Sequence, residues 1–93
     1  MELRRWREMD AACVLQRLSD HAKQDSTFQP LKDRSSSRWH ASVRGAEFEL
    51  LLTGTKFFDT RQNKGGGGAI DLAMHVLRAD FHTAANHLRA KQI

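Results

Sequence analysis

The sequence predicts an α+β fold: a small antiparallel sheet of three or more strands, an N-terminal helix and two C-terminal helices. Three observations predict it. Apolar residues recur at three- and four-residue steps at both ends of the chain, but alternate in its middle. Glycine-containing breaks at Arg44-Gly45 and Thr53-Gly54 cut that middle into hairpin-sized pieces. The tetraglycine run Gly65–Gly68 then separates it from a second helical stretch.

The first zone runs from Leu3 to about Ala22. Leu3, Trp6, Met9, Cys13, Val14, Leu15 and Leu18 fall at the spacing of an amphipathic helix. Asp10 is placed to cap a helix over Ala11–Ala22, with the earlier residues as a separate turn or arm. Cys13, between Ala12 and Val14, reads as a small core hydrophobe. From Lys23 to Ser37 the pattern fades. This stretch holds the only proline, Pro30, and a serine run, and reads as a loop with a short extended piece around Phe28–Leu31.

The second zone, Arg38 to Thr60, reads as three strands: "RWHASVRG", "AEFELLLTG" and "TKFFDT". In the middle one Phe48, Leu50 and Leu52 alternate with Glu47, Glu49 and Leu51. Such a meander is marginal alone and needs helices on one face. In the third zone Ile70, Ala73, Met74 and Leu77 form an apolar stripe. Asp80 caps a last helix in which Phe81, Ala84, Ala85 and Leu88 share a face. The chain therefore reads as one module over residues 1–93, with 1–22 helical, 38–60 strands and 68–91 two helices.

Composition narrows the function classes. A 93-residue chain buries only ~60–65% of its unfolded surface, so its core is modest. No apolar run approaches the ~18 residues of a membrane span, and no signal-peptide pattern follows the basic N-terminus. A cytoplasmic protein without a membrane partner is expected. A single cysteine excludes an intrachain disulfide and a cysteine-rich metal cluster. The net charge of +4 is a mild bias toward polyanions.

The glycine run fits neither phosphate-binding template. No Lys-Ser or Lys-Thr follows it, and Asp71 stands where the dinucleotide motif needs its third glycine. Two readings remain. One is a weak anion site from Gly67, Gly68 and Ala69 N–H groups beside Lys64 and Arg61, opposed by the Asp71 carboxylate. The other is a strand-to-helix turn in which the backbone passes close to the sheet, with Gly67, Gly68 and Asp71 as structural residues. The five histidines show no metal-ligand spacing, and Asp59 and Asp71 read as turn or cap residues rather than a catalytic pair. No cofactor, metal or complete active site is expected.

The segment Thr55–Leu88 resembles the zinc-binding domain at the front of DnaG-type primases, and more closely the related modules of plasmid, phage and integrative-element primases. Phe57-Phe58 matches the family's aromatic pair, Gly67-Gly68-Ala69-Ile70-Asp71-Leu72 its signature, and Phe81-His82-Thr83-Ala84-Ala85 its second helix. The family's zinc ligands are missing: Asp59-Thr60-Arg61-Gln62 stands where a cysteine pair is usual, and Ala41-Ser42 follows His40. The resemblance implies a metal-free version of that fold, in which burial of Trp39, Phe48, Phe57 and Phe58 replaces the metal's contribution.

It also implies a non-catalytic module that engages single-stranded DNA during replication or transfer of a mobile element. A replication, primase or conjugation protein would be its partner. The expected nucleic-acid-binding residues are Arg38, Trp39, Arg44, Lys56, Arg61 and Lys64, as phosphate-tracking charges around an aromatic platform. The competing reading of the same residues is a solvated rim with Trp39 in the core. A protein-docking module, or the template-binding front piece of a primase, are the alternative functions.

Overall fold

The computed structural model describes residues 2–30 and 35–93. It is α+β: a five-stranded antiparallel sheet with its helices packed on one face. Two short helices come first, α1 (Glu2–Arg7) and α2 (Ala11–Leu18). The strands are β1 (His21–Gln24), β2 (Ser37–Val43), β3 (Ala46–Thr53), β4 (Lys56–Asp59) and β5 (Lys64–Gly67). They lie in the sheet in chain order. Helices α3 (Gly68–Leu77) and α4 (Phe81–Ala90) close the chain.

Asp10 caps α2 by accepting the Cys13 N–H at 3.3 Å. The helix stops at Leu18, four residues short of the expected end. Ser19 takes over, its hydroxyl donating to the Leu15 carbonyl, and the Asp20 N–H already donates to Ser42 of the sheet. His21 and Ala22, expected in the helix, instead begin β1. The buried residues of α2 are Ala11, Val14, Leu15 and Leu18, which turns Cys13 outward. Its expected place in the core is therefore corrected. Within the expected loop, Gln24 pairs with Trp39, and Phe28 follows a turn closed on the Asp25 carbonyl. Leu31, the end of the expected extended piece, lies outside the described residues.

The β2–β3 hairpin turns on Arg44 and Gly45, both at positive φ (51° and 83°), as a two-residue type I′ turn requires. The β3–β4 hairpin turns on Gly54 and Thr55, with Gly54 at φ 58°. The glycine run is mostly a strand. Lys64–Gly67 pair with Asp59–Lys56, and α3 starts at Gly68. Gly68 has φ 87° and donates to the Thr55 carbonyl at 2.9 Å; a Cβ there would sit 3.1 Å from the Arg7 Cα. No L-residue suits that combination. Gly65 is also confined, since its Cβ would meet the Phe57 carbonyl at 2.9 Å, whereas Gly67 has only the Lys56 side chain at 3.7 Å.

The core lies between sheet and helices. Trp39, Ala41 and Val43 of β2 and Phe48, Leu50 and Leu52 of β3 point into it at the two-residue period of a strand. Trp6 anchors α1 there, its indole N–H donating to the Ile93 carbonyl at 3.2 Å. On α3 the buried residues are Ala69, Leu72, Ala73, Val76 and Leu77. Ile70 and Met74, expected in the buried stripe, stand on its flank and are only partly buried. Asp80 caps α4 through the Thr83 N–H at 2.8 Å, and Ala84, Ala85 and Leu88 are buried. Phe81, expected beside them, is 41% exposed.

Candidate nucleic-acid interface

The alternation that fills the core also defines the opposite face of the sheet. Arg38 and His40 of β2, Glu49 and Leu51 of β3, and Lys56 and Phe58 of β4 project there, and no described helix lies over them. Phe58 is 39% exposed. It pairs across the sheet with Leu51 on one side and Gly65 on the other. The ring leans over Gly65, where a Cβ would sit 3.0 Å from its Cδ1 atom. Leu51, Lys56 and Phe58 line a shallow depression here together with Ser36 and Thr53.

The charges on this face are arranged in pairs. Arg38 donates to Asp25 at 2.6 Å, approaches Glu49 at 3.9 Å and lies over the Phe28 ring. Hydrogen bonds from Thr27 and then from Arg38 hold the Asp25 carboxyl far below the usual carboxylate range. Arg61 reaches the same Glu49 at 3.4 Å. Lys56 has no carboxylate partner among the described residues. A phosphate arriving at this face meets one uncommitted cation, Lys56, and two arginines already held by the part-buried carboxylates Asp25 and Glu49.

Of the six residues expected to bind nucleic acid, three share this face: Arg38, Lys56 and Arg61. The other three do not. Trp39 is 8% exposed, and its indole N–H donates to Ser37 within the same strand at 2.9 Å. A stacking role for it is corrected: it points into the core with Ala41 and Val43. Phe58, expected to be buried, is the exposed aromatic instead, because consecutive residues of a strand cannot share a face. Arg44 sits in the β2–β3 turn and extends toward α4, 3.4 Å from the His87 ring. Lys64 turns to the helical side, beside Met74 and His75. Two of the three N–H groups expected to bind an anion, those of Gly67 and Gly68, are engaged. The Gly67 N–H donates to the Asp71 carboxylate at 3.1 Å and that of Gly68 to Thr55.

A polar node lies behind the face, and no local pattern announced it. Asp59 is 1% exposed and the only buried charged side chain among the described residues. It accepts the Arg61 and Gln62 backbone N–H groups at 3.0 Å, the Gln62 side chain at 3.2 Å and the His75 ring at 2.7 Å. Burial raises its carboxyl. The bonds from His75, Gln62 and Arg61 outweigh that and hold it below the usual range. An ionised carboxylate only accepts, so His75 carries its proton on Nε2. The His75 ring is tilted against Phe48 and Phe57, 5.7 and 5.2 Å away. The node thus fixes the turn carrying Arg61 to both β4 and α3. Among the described residues no three His, Cys, Asp or Glu side chains converge as a metal site.

No protein-family model matches the chain, and no solved structure matches it. A 65 kDa protein of Zymomonas mobilis subsp. mobilis is 44% identical over 41 residues, covering 44% of this chain and 7% of that protein. The chain thus spans a small fraction of the relative it matches.

Proposed function

We propose that this protein is a non-catalytic module that binds single-stranded DNA across the open face of its sheet, in the replication or transfer of a mobile element. One observation carries the reading. An uncovered antiparallel face presents an exposed aromatic, Phe58, between Lys56 and the arginines Arg38 and Arg61. Stacking on such a ring contributes about 1–3 kcal/mol per base, and flanking cations follow the backbone. The resemblance of Thr55–Leu88 to primase front domains supports the same class of ligand.

The test is a titration of labelled single-stranded DNA, duplex DNA and RNA at two salt concentrations. Single-stranded DNA is expected to bind best, with affinity falling as salt rises by about 0.7 log units per log unit of salt for each phosphate neutralised. Lys56→Ala with Arg61→Ala lowers affinity and flattens that slope. Phe58→Ala lowers affinity and keeps the slope. Absence of salt-sensitive binding to every oligonucleotide at low ionic strength overturns the reading. The paired carboxylates Asp25 and Glu49 would then favour docking of a protein on this face.

A further inference from the structure

We propose that the depression beside Phe58 is a subsite for one unpaired nucleobase, whose Watson–Crick edge is met by the paired hydroxyls of Ser36 and Thr53. The proposal rests on the single-strand reading above and adds to it how an unpaired base is told from a paired one. The depression has a volume of about 610 Å³, within the size range of small-ligand sites. Leu51 and Phe58 give it apolar walls, and Ser36, Thr53 and Lys56 bring the polar groups.

The register of the strands dictates this grouping. Thr53 pairs with Lys56, and Leu51 pairs with Arg38 on one side and with Phe58 on the other. Residues two apart on a strand share a face, so Thr53 and Leu51 point the same way, as do Lys56 and Phe58. Ser36 precedes β2 and comes opposite Thr53, with 2.7 Å between the hydroxyl oxygens. Two rows therefore run across the sheet: hydroxyls and a lysine in one, Leu51 and Phe58 in the next. Diagonal neighbours on adjacent strands lie about 7–8 Å apart. The Phe58 ring leans away from this space, over Gly65. A base stacked on the ring, at a centroid separation of about 4.5–7 Å, then lies over Leu51 with its edge toward Thr53 and Ser36.

The hydroxyl pair suits any base edge. A hydroxyl has one proton to donate and two lone pairs that accept. In the Ser36–Thr53 contact one proton is used between them, and either residue can supply it. The pair keeps one O–H donor and lone pairs on both oxygens. Because the two roles interchange, the donor can stand at either end. Every base carries a donor beside an acceptor on its Watson–Crick edge, and that edge is open to protein groups only in single strands. The pair thus selects strandedness rather than sequence. A duplex presents the same edges already bonded to each other.

Charge sets how the nucleotide lies. Lys56 is exposed, stands next to Phe58 on the same face of β4, and has no carboxylate partner among the described residues. On the far side of Leu51, Arg38 is held by Asp25 and approached by Glu49, and Arg61 is held by Glu49. The phosphate is therefore drawn to Lys56, and the base is left to Phe58 and the hydroxyl pair.

The probes are a short thymidine oligomer and the same oligomer with every base replaced by difluorotoluene, a thymine shape mimic without hydrogen-bonding groups. Both carry the same phosphates, and both can stack. The measured quantity is the ratio of their affinities, in the parent protein and in the double variant Ser36→Ala with Thr53→Val. The ratio is expected to favour thymidine in the parent and to fall about fivefold in the variant, the effect of losing one ordinary hydrogen bond. The salt slope is expected to stay the same. Lys56→Ala, in contrast, should weaken both probes alike and flatten the slope. Ser36→Ala alone, a change outside the strands, repeats the measurement if the double variant melts early. The same ratio in parent and variants overturns the subsite, and so does tighter binding of the mimic by the parent. Salt-sensitive binding that depends on Phe58 would then keep the single-strand reading without the subsite. Absence of binding by either oligomer overturns both.

Discussion

The two faces of the sheet are built from the same strands and have opposite chemistry. On the covered face the buried polar side chains of the strands are committed: Asp59 has four donors, the Trp39 indole has Ser37, and apolar side chains fill the rest of the core. On the open face the arginines meet the part-buried carboxylates Asp25 and Glu49, Phe58 is exposed and Lys56 is unpaired among the described residues. The comparison teaches that neighbouring residues here have separate duties. Trp39 supports and Arg38 presents; Phe57 supports and Phe58 presents. Substitutions on the covered face should therefore be read in stability, and those on the open face in binding.

The largest stability effect is expected at Trp39. Truncating a buried aromatic costs about 3–5 kcal/mol. Trp39→Ala should lower the unfolding free energy read from urea titration by that much, with a lower midpoint. An unaltered midpoint with weakened oligonucleotide binding would move Trp39 to the open face and break the comparison.

Gly68 comes next. A side chain there must adopt φ 87° and approach the Arg7 backbone. Strain of this kind costs about 1–3 kcal/mol. Gly68→Ala should lower the melting temperature clearly, while Gly67→Ala stays within about 1 kcal/mol of the parent. Gly65→Ala should resemble Gly68→Ala more than Gly67→Ala, since its Cβ meets the Phe57 carbonyl. Equal, negligible effects at all three would reduce the run to a spacer.

Asp59 sharpens the comparison through pH. Asp59→Asn removes the charge that four donors address, and should cost about 1–3 kcal/mol at neutral pH. Because the folded carboxyl titrates lower than the unfolded one, near 3.9, its stabilisation is complete above that value. It is lost as pH falls through the folded value. The variant's stability should therefore fall less steeply than the parent's below about pH 4. Parallel acid limbs would show that Asp59 is not held in its ionised form.

Much of the fold was legible in the sequence, for local reasons. Asp10 and Asp80 announce helix starts because a cap needs only its own next three residues. Arg44-Gly45 announces a hairpin because the turn type needs positive φ. The strands β1 and β5 were not legible. "HAKQ" and "KGGG" have poor strand propensity and are extended because β2 and β4 offer them a ladder. The site was legible only by residue type. Alternation through Trp39, Ala41 and Val43 was the available signal that Trp39 turns inward, and it likewise separates Phe57 from Phe58. The Asp59–His75 contact had no such signal, since it depends on how α3 seats against β4. The stripe on α3 was misread because that helix is apolar on two sides.

The most direct measurement of the central claim is an amide chemical-shift map of the full chain with a short thymidine oligomer at low salt. Shifts are expected at Arg38, Leu51, Lys56, Phe58 and Arg61, with Trp39 and the buried residues of α3 unmoved, and their loss in Phe58→Ala. Shifts centred on the helical side, or none in the parent protein, would contradict it.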